Sequence, residues 1–188
     1  MYWKNYSELI NAEYIERKYW HSSKVVYNYK GFKIIFDHYV IYSNTGYGSF
    51  GSTVTRIYCQ FESKRAINLL IEKVTLYSKI ISCFRRNRLK IGHKEFDSKY
   101  NMFLSGGISH TFLSKPIISK IINYNIIDLY IHNKNAIWGE SLDKNNYELA
   151  TYINDYKVKT HVLTNFKSLF EEIIDNLISN HHISSPLY

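Results

Sequence analysis

Between Lys24 and Phe61 the chain three times spells out a run of β-branched and aromatic residues bounded by turn formers. Lys24-Val25-Val26-Tyr27-Asn28-Tyr29 is the first run. Lys30-Gly31 breaks it, Phe32–Tyr42 alternates long enough for a second strand, and Thr53–Phe61 is a third. Such side chains suit a half-buried pleated surface, and a short polar-Gly break between two runs reads as a hairpin. The intervening Ser43–Ser52 holds Asn-Thr-Gly-Tyr-Gly-Ser-Phe-Gly-Ser and reads as a glycine-rich loop.

The rest of the chain adds helices and further strands. Residues 7–19 predict a helix capped by Ser7, with Leu9, Ile10, Tyr14 and Ile15 on one face. Ile67, Leu70, Ile71, Val74, Tyr77, Ile81 and Phe84 recur at helical spacing and predict a helix over 64–84. It runs into Arg85-Arg86-Asn87-Arg88-Leu89-Lys90, the only dense basic run and a natural boundary between halves 1–90 and 91–188 of a single domain. Residues 95–104 read as a strand, and Ser109–Leu113 as a helical turn. Ser114 and Pro116 then open a helix whose apolar face is Ile117, Ile118, Ile121 and Ile122. Ile127–His132 and Asn135–Gly139 predict a hairpin turning at Asn133-Lys134, and Tyr147–Asn154 another strand. The clearest element is a C-terminal amphipathic helix on Phe166, Leu169, Phe170, Ile173, Ile174, Leu177 and Ile178, capped by Thr164 or Asn165. Glu171, Glu172 and Asp175 lie on its outer face, and His181 and His182 near its negative end. Strands outnumber helices and mostly follow one another, which predicts an α+β fold: mostly antiparallel sheet in two halves with packed helices.

A chain of 188 residues buries roughly 70% of its unfolded surface, enough for a core without metal or disulfide staples. The formal charge of +8 favours anionic partners, although dispersed charge is also ordinary for solubility. Cys59 and Cys83 lie in no metal-ligand spacing and read as buried thiols of a reducing, cytoplasmic compartment. No run approaches the roughly 18 apolar residues of a membrane span, and Glu8 interrupts any leader-like start.

Phe96, Tyr100 and Phe103, then Leu113, Ser114, Pro116 and Ile121, then Trp138-Gly139, follow a recognisable order: aromatic strand, short helix, Pro-opened helix, hairpin. This order resembles an uncharacterised family of bacterial proteins, and Lys30–Asp37 and Thr53–Tyr58 are similar to that family's first half. The resemblance implies a two-part α+β domain over residues 24–180. Some members carry transmembrane helices ahead of it, which residues 1–23 do not match. It implies no catalytic residues, metal or cofactor.

Few positions suggest chemistry. Gly46, Gly48 and Gly51 have the composition of a phosphate cradle but lack the Gly-x-x-x-x-Gly-Lys spacing, and a hairpin connection explains them as well. Gly106, Gly107 and Ser109 precede a helical run whose amides suit an anion; a capping turn is the plainer reading, and Ser109 beside His110 has no orienting carboxylate. Arg85, Arg86, Arg88, Lys90 and Lys94 are candidates for phosphate contacts, with Phe84, Tyr100 and Phe103 as stacking partners; a solvated connector accounts for the same run. Asp37 and His38 face opposite sides of a strand. Tyr39, Tyr42, Tyr47 and Tyr58 would line a groove or simply pack a sheet. Glu140 and Asp143 suit a polar loop or a carboxylate pair. These readings point first to a non-catalytic binding domain for a protein or anionic macromolecule. A nucleotide or phosphate-ligand enzyme using the glycine-rich segments, and nucleic-acid binding through residues 85–94, are the alternatives.

Overall fold

The computed structural model of the chain describes residues 2–18, 22–45, 48–75, 88–137 and 139–186. Its strands form one antiparallel sheet: β1 (Glu13–Ile15), β2 (Lys24–Tyr29), β3 (Phe32–Thr45), β4 (Gly48–Ser63), β5 (Ile67–Lys73), β6 (Arg88–Leu89), β7 (Tyr100–Gly106), β8 (Asp128–His132), β9 (Asn146–Ile153) and β10 (Ile183–Pro186). The spatial order is β1-β2-β3-β4-β9-β8-β5-β7-β6, and β10 pairs with the end of β4. The described helices are α1 (Tyr2–Leu9), α2 (Lys94–Lys99), α3 (Lys115–Asn123) and α4 (Thr160–Ser179). The fold is α+β.

The two faces of the sheet differ. Ile34, Phe36, Ile57, Phe61, Leu69, Met102, Leu129 and Leu149 join buried side chains of all four helices in the main core, including Tyr6, Phe96, Ile117 and Phe170. Helix α4 contributes seven buried residues there, each worth about 1.5–3 kcal/mol relative to an exposed position. Alternate residues of the same strands point the other way. Val54, Ala150 and Tyr152 form a smaller cluster there with Ala136, flanked by Tyr39, Ile41, Tyr58, Tyr130 and Ile137.

Where the expected elements differ from the observed ones, tertiary burial has overridden local pattern. The first helix starts at Tyr2 because Trp3 and Tyr6 are the residues that bury. Ser7 lies within it, donating to the Lys4 carbonyl rather than capping (2.7 Å). Asn11, at φ 52°, ends the turn, and Glu13–Ile15 then pairs with β2. The helix expected from residue 64 is strand β5 instead: Ile67, Leu69 and Ile71 bury on one face with period two. Its continuation over residues 76–84 lies outside the described residues. Residues 94–99 are helical rather than extended. The His93 ring caps the Phe96 N–H (3.3 Å), and the Asp97 carboxylate accepts from the Ile91 and Gly92 amides (3.1 and 3.0 Å). The expected hairpin at 127–139 is absent, because β8 pairs with β5 and β9. Lys134 and Ser141 instead bridge across the connection between β8 and β9, with Ala136 at φ 64°; Trp138 lies outside the described residues. The C-terminal helix begins at Thr160, ahead of the expected caps, because Leu163 also buries; the Thr164 hydroxyl bonds back to the Thr160 carbonyl (3.1 Å).

Candidate functional site

The strands place a charged pair in the middle of the face that carries the smaller cluster. In the β3–β4 register Asp37 stands opposite Arg56. Arg56 donates through Nε to Asp37 Oδ1 (3.0 Å) and through Nη2 to Oδ2 (2.6 Å). The period of two puts Tyr58 and Tyr39 on the same side. The guanidinium carbon lies 3.9 Å from the Tyr58 ring centroid and 4.9 Å from that of Tyr39, both within the range of cation–π attraction. The two charged side chains are only 9% and 10% exposed. Burial pulls the Arg56 pKa down while the Asp37 carboxylate pushes it up, and the net shift is upward. Burial raises the Tyr58 hydroxyl, so it stays a neutral phenol.

A second polar layer ties the connection between β8 and β9 to this face. Glu148, fully buried on β9, accepts from Gln60 Nε2 (3.0 Å) and from the Ala136 amide (3.0 Å). Ile137 donates its amide to the Tyr152 hydroxyl (3.1 Å). Burial raises the Glu148 carboxyl pKa, against the lowering by Gln60 and Arg56. Farther along the sheet, the Asp128 carboxyl accepts from the Tyr152 amide (3.1 Å), and burial lifts its pKa to about 6.

A cleft of about 360 Å³ opens over the ion pair, lined by Ile15, Glu16, Lys18, Ser22, Lys24, Asp37, Arg56 and Tyr58. Three cations there outnumber two carboxylates. The floor is rigid because Arg56 is held by two hydrogen bonds and two rings, whereas Lys18 and Glu16 at the rim are exposed. The chemistry on offer is a fixed cation on an aromatic bed: recognition of a carboxylate, phosphate or amide oxygen, with shape supplied by tyrosine.

Of the residues singled out in the sequence, Asp37, Tyr39 and Tyr58 meet at this site; the others are placed elsewhere. Gly48 and Gly51 lie within β4, paired with Thr45 and Tyr42, so the expected loop at 43–52 is a strand pair around its two tip positions. Gly46 and Tyr47 lie outside the described residues, as do Arg85, Arg86, Phe84 and Cys83. Arg88 donates to the Asp97 and Tyr100 carbonyls (2.6 and 3.3 Å), a structural use; Lys90 and Lys94 are exposed. Arg88 lies in β6, with Lys90 and Lys94 just after it, at the opposite end of the strand order from the cleft. Gly106 sits at φ 106° where a Cβ would come within 2.2 Å of the Ala66 carbonyl oxygen, and the Gly107 amide donates to that same oxygen (2.9 Å). Ser109 caps a three-residue 3₁₀ turn, as its sequence suggested. The Asn135 amide donates to the Glu140 carbonyl oxygen, and both Glu140 and Asp143 are exposed. His38 is directed away from Asp37, toward Trp3 and the Tyr156 carbonyl. Among the described residues no His/Cys/Asp/Glu group is arranged to hold a metal, and no helix is long and apolar enough to cross a membrane.

Arg56 was not among the sequence candidates. Its signal was present: a lone arginine inside Val54-Thr55-Arg56-Ile57-Tyr58, as far from the hairpin tip on one strand as Asp37 is on the other. No known family model, characterised protein or solved structure matches the chain.

Proposed function

We propose that the chain is a non-catalytic binding domain that recognises a protein partner through the cleft above Asp37 and Arg56. The observation that carries this reading is the pre-set Arg56: its guanidinium is fixed by Asp37 and stacked on Tyr58 before any partner arrives. Arginine and tyrosine in a desolvated pocket are the residue types that dominate protein-interface energetics, and pre-organisation lowers the entropy lost on binding. The net positive lining favours an acidic or carbonyl-rich segment. The free, buried Cys59 fits a reducing, cytoplasmic setting.

A photo-crosslinking residue at Ser22, on the cleft, should capture a discrete partner in extracts of the source cell. The same residue at Asn123, on α3, should not. Asp37→Leu combined with Arg56→Met, which removes the cation without stranding a buried carboxylate, should abolish the product while the fold persists. Equal capture from both positions would overturn the assignment, as would turnover of a nucleotide or phosphate ester that is lost in the same double variant.

A further inference from the structure

Beyond Phe36 on β3 and before Thr55 on β4, the long hairpin leaves the sheet. Strand β2 stops at the Val25–Phe36 pair, and β9 stops at Thr55–Ile153. Val40–Thr53 through Thr45–Gly48 pair only with each other among the described residues. The result is a two-stranded arm with backbone groups directed outward on both sides.

The direction of those groups follows from the ladder. The Thr55 amide donates outward to the Asp155 carbonyl (3.2 Å), and the His38 carbonyl accepts outward from Ser22 Oγ (2.9 Å). In an antiparallel pair every second residue presents both its N–H and its C=O to the same side. Thr53, Gly51 and Ser49 therefore offer their amides and carbonyls along the outer edge of β4.

Among the described residues the other sheet edges are guarded. β1 has three residues and an exposed Glu13, β6 has two residues and an exposed Arg88, and β10 ends in Pro186. Short length, charge and proline are the usual defences of an edge strand. The arm has none: from His38 to Thr55 there is no charged residue and no proline, and the register runs without a bulge. A two-stranded ribbon is marginal alone in water. Its β4 side reads Gly48-Ser49-Phe50-Gly51-Ser52-Thr53, and glycine inside a strand weakens it unless another backbone must come close.

We propose that the β4 edge of this arm pairs antiparallel with the same edge of a second copy of the chain, extending the sheet across a two-fold axis near Gly51. An identical antiparallel edge is self-complementary, as a closed dimer requires. The chain carries a charge of +8, but none of its formally charged side chains lies on the arm, so two arms approach without like charges opposing each other.

Sedimentation equilibrium of the full chain tests this directly. The wild type should associate reversibly to a dimer. Thr53→Pro removes an outward amide and spares the bonds inside the hairpin; Gly51→Lys sets like charges across the axis. Each should weaken association at least tenfold with the circular dichroism unchanged. If either variant fails to fold, Gly51→Cys in a Cys83→Ser chain replaces it and should give a disulfide-linked dimer under mild oxidation. A wild type that is monomeric at every concentration would overturn the proposal. So would a dimer insensitive to Thr53→Pro and Gly51→Lys, or a Gly51→Cys chain that forms no link. Failure here leaves the Ser22 crosslinking result untouched, so the two readings fall separately.

Discussion

Asp37 and Arg56 face each other across β3 and β4 and share two hydrogen bonds in a site that leaves about a tenth of each side chain exposed. A buried pair of this kind is costly to break and cheap to replace. Truncation of one partner strands the other charge out of water, a loss of about 3–5 kcal/mol, whereas two apolar residues of similar volume are often neutral or stabilising. Arg56→Met should lower the stability of the chain by that amount in urea denaturation. Asp37→Leu combined with Arg56→Met should recover most of it and still fail to bind a partner. A double variant as unstable as the single would mean that the pair is not coupled as its geometry implies.

Asp128 gives the protein an unusual acid response. Burial raises its carboxyl pKa from the ordinary 3.8 to about 6, while the Tyr152 amide and Thr151 hydroxyl pull the other way. Between those two values the folded chain binds a proton that the unfolded chain has released. The contribution of Asp128 is therefore most stabilising below about pH 4, and it is lost as pH rises through 6, a span worth on the order of 3 kcal/mol. Glu148 shifts in the same direction, also through burial. Asp128→Asn keeps an oxygen for the Tyr152 amide and removes the charge. It should stabilise the fold at pH 7.5 and flatten the urea midpoint against pH between 4 and 6. An unchanged slope would show that the carboxyl titrates normally.

Much of the sheet was legible because alternating burial is written into β8 and into stretches of β3 and β4, and because β-branched and aromatic residues fill β2. The errors share a cause: patterns that satisfy two periods at once. Ile67, Leu70 and Ile71 match a helix, while Ile67, Leu69 and Ile71 match a strand. The strand won because β7 and β8, distant in sequence, flank it on both sides. The site was harder to read. Tyr39 and Tyr58 read equally as groove-lining or as sheet-packing tyrosines; what sets their role is Arg56 between them, and that depends on hairpin register. Register became visible only once the glycine-rich segment proved to be strand up to Thr45 and from Gly48. Glu148 had no local signal at all, since its partners come from β4 and from the turn at Ala136.

Gly106 and Gly107 separate a structural glycine pair from an anion cradle. Gly106 holds a left-handed φ of 106° with the Ala66 carbonyl where a side chain would begin, while a Cβ on Gly107 would meet only the Arg65 side chain at 3.5 Å. Gly106→Ala should destabilise the fold by more than about 1 kcal/mol, since strain and clash add. Gly107→Ala should be nearly silent in thermal unfolding. If both are silent, the backbone at the end of β7 is not held as described.

Among the described residues of the connection between β8 and β9, two amides, those of Ala136 and Ile137, bond to side chains of β9, and these can be released separately. Ala136 donates to Glu148 and Ile137 to the Tyr152 hydroxyl. Glu148→Leu leaves the Ala136 amide and the Gln60 side chain without their acceptor, and hydrogen bonds to a charged group are worth about 1.5–3 kcal/mol each. Tyr152→Phe removes the acceptor of Ile137 and leaves the Glu148 carboxylate in place. Because local opening sets amide exchange, Glu148→Leu should speed exchange at Ala136 by more than about tenfold, the equivalent of about 1.4 kcal/mol. Tyr152→Phe should speed Ile137 more than Ala136. Exchange by NMR at these two amides reads both effects, with the Leu149 amide in the β9 interior as the reference. Equal acceleration of both amides in both variants would mean that the connection lifts as one unit, and that neither side chain is a separate anchor.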